Sequence, residues 1–170
     1  MTAYWSKLVQ LVSMAALLVA CEKDAPPGPP LAPNAPQDRP VAAEGKSQVE
    51  EYQAAIAPYI EQARLTYPAA KKRYLEGLPA SHAFFTVTRL RDSSGSQEQV
   101  FIAVSTFKDG RIFGRIASDV TGVQGYKQRD AYDFPEAELI DWLISRPDGS
   151  EEGNLVGKFL DDQQKSRRAR

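Results

Sequence analysis

Hydrophobic positions along the chain change their spacing partway, and each spacing predicts a different kind of element. From Val49 to Ala63 the apolar residues recur every three or four positions, which is typical of one face of a helix. From His82 to Ser118 the runs become strand-like and rich in Phe, Thr, Val and Ile. The pattern therefore predicts helices first and an antiparallel sheet after them.

Prolines interrupt the helical region, and we expect them to divide it. Ser47 and Glu50 have the spacing of a capping box, so the first helix is expected to start there. Pro58 removes one intrahelical hydrogen bond and crowds the preceding turn, which predicts a kink or two short helices meeting near Ala57. A second helix start is expected near Pro68, because proline is tolerated in a first turn.

Strand-like runs joined by turn sequences follow the helices. The three runs are 82–91, 97–107 and 111–118. Asp109-Gly110 is a tight-turn signal, so the runs are expected to form an antiparallel meander. A short fourth strand is expected at 131–134. Residues 135–138 are expected either to open one helical turn or to begin the segment 139–145. Asn154 is expected to cap a last helix over 155 to about 162.

These elements predict an α+β domain over residues 48–164. Its N-terminal helices would pack on an antiparallel meander sheet of about four to five strands, with a short C-terminal helix. Residues 165–170 are expected to be a basic tail. Seven prolines between positions 26 and 40 favour extended polyproline II, so residues 21–47 are interpreted as a tether.

The N-terminal residues 1–20 have the form of a secretory signal. Lys7 precedes an apolar run from Leu8 to Val19 that is too short to span a bilayer comfortably. The end of the run, Leu18-Val19-Ala20-Cys21, resembles the lipobox of bacterial lipoproteins. The resemblance implies that Cys21 carries lipid and becomes the first residue of a periplasm-facing, membrane-anchored protein of the bacterial cell envelope. In enterobacterial lipoproteins, Asp after the lipidated cysteine often signals retention in the inner membrane. Here Glu22 follows the cysteine, so anchoring in the outer membrane is slightly favoured over anchoring in the inner membrane.

Composition narrows the possible functions. The 170 residues include 21 Lys and Arg against 22 Asp and Glu, which excludes a bulk basic nucleic-acid binder. One Cys excludes an intramolecular disulfide and a Cys-based zinc site, and one His excludes a His-pair metal site. No phosphate-binding loop or catalytic motif is present. We therefore predict no catalytic residues, no metal and no cofactor.

Two pairs of residues form the candidate binding surface. Asp141 is expected to cap or hold a turn at the sheet edge, and the adjacent Trp142 is expected to be core or the wall of a binding groove. Arg111 and Arg115 lie on the predicted meander together with two more arginines, Arg89 and Arg91. Arginines that share one sheet face would attract anions, and the alternative is an ordinary solvent-facing side.

Four short motifs between residues 49 and 162 resemble the YegJ-like family, a bacterial domain of unknown function. They are Ala63 to Pro68, Glu98 to Ile102, Asp109-Gly110 followed by Gly114, and Ile140 to Trp142. Gln99 and Phe101 stand where the family typically has His and Trp. The resemblance implies helices packed on an antiparallel sheet, and it implies no activity.

The function expected from these features is that of an envelope lipoprotein that binds another envelope protein or a cell-wall component without catalysis. One alternative is a carboxylate-dependent enzyme on envelope polymers, which needs Asp141 or Glu98 beside a second acid in a cleft. The other alternative is a small-ligand binder with an apolar cavity between helices and sheet. A nucleic-acid partner is not expected.

Overall fold

The computed structural model describes residues 31–36 and 46–169, and this part of the chain has the predicted α+β fold. The helices are α1 (Lys46–Glu76) and α2 (Leu155–Arg168). The strands are β1 (Ala83–Arg91), β2 (Gln97–Lys108), β3 (Arg111–Ile116), β4 (Ala131–Pro135), β5 (Asp141–Ser145) and β6 (Glu151–Gly153). Within the described ranges, no helix is long and apolar enough to cross a bilayer.

The strands form one antiparallel sheet in the order β4-β3-β2-β1-β5-β6. The predicted meander is confirmed as β1 to β3, with β4 as its fourth strand. The described residues contain six strands rather than four to five, because β5 and β6 extend the sheet beyond β1. Every residue of β5 is buried. Such a run shows no alternation, so periodicity alone does not distinguish it from a buried helical segment.

The first helix is continuous, so the predicted kink or break near Ala57 is wrong. α1 extends from Lys46 to Glu76 and contains both Pro58 and Pro68. Both prolines lie on the exposed side, whereas the buried residues follow helical spacing and pack in the core. This packing outweighs the cost of about 3 kcal/mol for an interior proline, since tertiary contacts supply most helical stability in proteins.

The last helix is longer than predicted and is capped differently. α2 extends to Arg168, well past Asp162, so most of the predicted basic tail is helical. Asn154 has a left-handed backbone with φ of 53°, and its side chain makes no capping hydrogen bond. Its amide nitrogen instead donates to Glu151 Oε2 at 2.6 Å. In the first turn of α2, the Val156 backbone N–H donates a hydrogen bond to the carboxylate of Asp141 in the sheet.

The sheet has one fully covered face and one partly covered face. On the first face, β1 residues such as Phe84 and Leu90 pack under the C-terminal half of α1. On the second face, Val87 packs with Ile56 of α1 and Val156 of α2. The N-terminal half of α1 and α2 therefore cover only part of the second face.

A short segment of the predicted tether lies against this second face. We call residues 31–36 the docked segment; Leu31, Ala32 and Ala35 are among its residues that pack against Phe85 and its neighbours. Asn34 Nδ2 donates to the carbonyl oxygens of Ser81 and Ser145 at 3.1 and 3.0 Å, and Ser145 Oγ donates back to the Asn34 carbonyl at 2.6 Å. The other residues of the predicted tether before position 46 lie outside the described ranges.

Candidate functional site

A groove of about 1000 Å³ opens on the second face of the sheet. Its floor comes from β1 and β2, and its walls come from the N-terminal half of α1 and from α2. The docked segment closes one end. The residues that line the floor and walls include Val49, Tyr52, Gln53, Val87, Arg89, Gln99, Phe101 and Leu160. A cleft of this size fits the range of small-ligand and peptide sites.

Two polar side chains stand next to each other on the floor. Arg89 of β1 is directly opposite Gln99 of β2 in the antiparallel register, so their Cβ atoms lie about 5 Å apart. Tyr52 of α1 donates its hydroxyl hydrogen to Gln99 Oε1 at 3.3 Å. This bond directs the amide oxygen of Gln99 towards the helix and leaves the amide nitrogen on the other side.

The amide nitrogen of Gln99 has no hydrogen-bond partner, although it is shielded from solvent. Leaving a buried donor unsatisfied costs roughly 1–3 kcal/mol, and native proteins contain few such groups. A polar group of this kind marks a place where a ligand acceptor would restore a lost hydrogen bond.

The guanidinium of Arg89 is half-buried and lacks a carboxylate partner. No ion pair among the described residues includes it, and its contact with Gln97 Oε1 at 3.5 Å lies at the limit of a hydrogen bond. Burial lowers the pKa of Arg89, and the nearby Arg91 lowers it further, while Tyr52 opposes this. Arginine nevertheless keeps its charge in proteins, so the groove holds an uncompensated cation.

The neighbouring phenol stays protonated and can act as a donor. Burial raises the pKa of Tyr52, and this effect outweighs the opposing influence of Arg89 and of the bond to Gln99. The Tyr52 hydrogen is used by Gln99, so Arg89 and the Gln99 amide nitrogen are the two donors of the floor that remain, and Val87, Phe101 and Leu160 supply apolar surface beside them.

A second cleft, of about 360 Å³, lies near the end of α1. Its charged groups neutralise one another: Glu152 accepts from Arg73 at 2.7 Å and from Arg146 at 3.0 Å. His82 also lines it and lies directly before β1, as a loop residue. The cleft thus offers no unmatched charge.

Asp141 and Trp142 are buried and connect the sheet to its two helices. Trp142 is 5% exposed on the first face, where its Nε1 donates to the Ala63 carbonyl at 3.1 Å. Asp141 is fully buried on the second face, where Oδ2 accepts from the Val156 backbone N–H at 2.7 Å. Asp141 lies on an interior strand, and its carboxylate caps the first turn of α2 from the sheet. Burial raises its pKa to about 6 against the lowering effect of its backbone hydrogen bonds.

Arg111 and Arg115 lie on the second face but apart from the groove. Arg111 Nε donates to Asp133 Oδ2 at 2.6 Å, and Arg115 Nη1 donates to the Arg129 carbonyl at 3.1 Å. Arg115 is opposite Ala103, which packs against the same buried cluster as the docked segment. Neither Arg111 nor Arg115 lines the groove that contains Arg89.

Four acids line the groove, namely Glu98, Asp141, Glu151 and Asp161, and the contacts of Asp141 and Glu98 are mainly with backbone N–H groups. Asp141 bonds to backbone N–H groups, and Lys158 is the charged side chain that acts on its pKa. Glu98 accepts from the backbone N–H groups of Thr121 and Gly122. In the described ranges, no three or more His, Cys, Asp or Glu side chains are arranged to hold a metal ion.

The phenylalanines of the sheet separate the packed core from the open surface. Phe84 and Phe85 are 3% and 0% exposed and lie in the cores of the two faces, so neither side chain lines the groove. Phe113 is half-buried on the open part of the second face.

Comparison with family models, with curated proteins and with solved structures finds no match to this chain.

Proposed function

We propose that this chain is a lipid-anchored binding module of the bacterial envelope, and that its binding site is the groove on the second face of the sheet. The observation that carries the proposal is the pair formed by the unneutralised Arg89 and the unpartnered Gln99 amide in one cleft. Both groups are costly to bury without a partner, and a ligand would satisfy both.

The anchor is proposed from the lipobox-like sequence that ends at Cys21. A single acyl chain binds a protein to a membrane only marginally, whereas the two or three chains that lipoprotein processing would attach hold it there firmly. Residues 21–30 would span at most ~35 Å between the lipid and the docked segment. The groove would therefore face partners close to the membrane, such as envelope proteins or cell-wall components. The YegJ-like resemblance is part of this proposal and adds no activity to it.

A photo-crosslinking amino acid in the groove tests the binding function in intact cells. Gln53 is an exposed groove residue on α1, and Leu65, at 82% exposure on the same helix, does not line the groove. We expect a crosslinked adduct from position 53 and none from position 65. Equal adducts at both positions, or none at position 53, would contradict the proposal.

The anchor has a separate test. Cells grown with labelled palmitate are expected to label the full chain and to leave the Cys21→Ser variant unlabelled. Label that persists in this variant would place the lipid elsewhere, and a parent chain without label would refute the anchor.

A further inference from the structure

The groove has the chemistry to bind a peptide by its free carboxylate. We propose that the Arg89 guanidinium and the Gln99 amide nitrogen together bind the terminal carboxylate of a short peptide, and that the apolar floor receives the adjoining side chain. This inference rests on the proposed binding function of the same groove.

Both unmatched groups are hydrogen-bond donors, which indicates an acceptor with two oxygens. Arg89 and Gln99 are cross-strand neighbours, so one ligand group can meet both. A guanidinium presents a planar set of donors that matches a carboxylate in a two-bond geometry. The Tyr52 hydroxyl donates to Gln99 Oε1 and so turns the amide oxygen towards α1, which leaves the shielded amide nitrogen without a partner among the described residues.

The surrounding charges favour an anion with a single charge. Four acids also line the groove, namely Glu98, Asp141, Glu151 and Asp161, and the second arginine nearby, Arg91, is exposed. A phosphate group carries more negative charge and would be repelled more strongly by these acids. A carboxylate needs one cation, and Arg89 supplies it.

The rest of the lining favours a peptide over a plain alkyl chain. Val87, Phe101 and Leu160 give an apolar area suited to one side chain. Around it the groove is lined by neutral polar side chains, namely Asn34, Gln53, Ser96, Gln97, Thr121 and Gln164. Such groups match the alternating N–H and C=O groups of a peptide backbone and would be left without partners by a hydrocarbon.

The test uses the full chain, extracted from membranes, and a library of N-acetylated tripeptides with free carboxyl ends. A matched library carries C-terminal amides. Bound peptides are measured by equilibrium dialysis and mass spectrometry. We expect the free-acid library to yield bound members whose amides bind at least about tenfold more weakly, because a charged hydrogen-bonded pair is lost.

Two variants separate the site from general charge. Arg89→Gln is expected to weaken binding of the selected peptides at least about tenfold, while Arg91→Gln, the exposed neighbour on the same strand, stays within about twofold of the parent chain. Unfolding curves of both variants confirm that they are folded before binding is compared.

Several results would overturn the inference. Equal binding of acid and amide peptides, no binding of either library, or equal losses in the Arg89 and Arg91 variants would each refute the carboxylate site. Binding of decanoate, but of no peptide, with dependence on Arg89 would refute the peptide assignment. Failure here together with a crosslink at position 53 would overturn this inference and leave the proposed binding function standing.

Discussion

The buried carboxyl group of Asp141 makes a specific contribution to how the stability of this fold depends on pH. Asp141 is fully buried, and its pKa of about 6 compares with 3.8 for an exposed aspartate. The folded chain therefore binds the proton more tightly than the unfolded chain. At 1.36 kcal/mol for each pH unit, the difference corresponds to about 3 kcal/mol in the free energy of unfolding.

The sign of the effect follows from which state keeps the proton. Below about pH 4 both states are protonated, and this stabilising contribution is fully present. As the pH rises from about 4 to about 6, the unfolded chain loses its proton first, so the free energy of unfolding falls. Above pH 6 both states are ionised, and the contribution of Asp141 no longer changes.

Asp141→Asn is the informative substitution. The variant has no titrating group at this position, and its amide oxygen still accepts from some of the backbone N–H groups of Trp142, Leu155 and Val156 that Asp141 bonds. The lost hydrogen bond lowers stability by an amount that does not depend on pH. We expect the stability of the parent chain relative to the variant to decrease by about 2.5 kcal/mol between pH 4 and pH 7, because part of the total is already lost below pH 4.

Urea denaturation followed by circular dichroism between pH 4 and pH 8 measures this difference. Asp92, Asp148 and Glu152 have lowered pKa values because of hydrogen bonds to their ionised carboxylates, so their contributions decline in acid in both proteins. Asp119→Asn, at an exposed position, is the matched control for the loss of one carboxylate. A parent-minus-variant difference that stays constant with pH would refute the account of Asp141.

Three further substitutions test other parts of the fold. Gly114→Ala would place a Cβ 2.2 Å from the Ala103 carbonyl oxygen. We therefore expect the free energy of unfolding, measured in urea, to fall by about 2 kcal/mol. An unchanged value would mean that β2 and β3 are less closely packed than described. Trp142→Phe removes the donor to the Ala63 carbonyl in the core and is expected to cost about 1–3 kcal/mol in the same assay, whereas a neutral result would show that the indole bond adds nothing. Asn34→Ala removes the side-chain bonds of the docked segment, and limited proteolysis is expected to cut near it faster while the unfolding midpoint barely changes.

The sequence by itself determined the fold class and much of the meander. The strand-like runs and the Asp109-Gly110 turn depend on local chemistry, since a tight turn and flanking β-prone residues specify a hairpin without help from distant parts of the chain. The role of Asp141 is different, because its carboxylate accepts from the Val156 backbone N–H of α2, fifteen residues away, and that contact depends on how α2 packs on the sheet.

Tertiary structure decided the continuity of α1 and the strand identity of β5. Pro58 and Pro68 are unfavourable inside a helix, and the packing of one buried face compensates for them. β5 is buried on both faces, so its sequence carries no alternation that would reveal a strand.

The groove also required the tertiary structure, although its residues were visible in the sequence. In the sequence, Arg89 and Gln99 lie in two consecutive strand-like runs, and Tyr52 lies in the helical region from Val49 to Ala63. Strand register is what makes Arg89 and Gln99 neighbours, and the fold of α1 across the sheet is what brings Tyr52 to them. Register and helix docking depend on contacts between residues far apart in the chain, and local spacing does not encode those contacts.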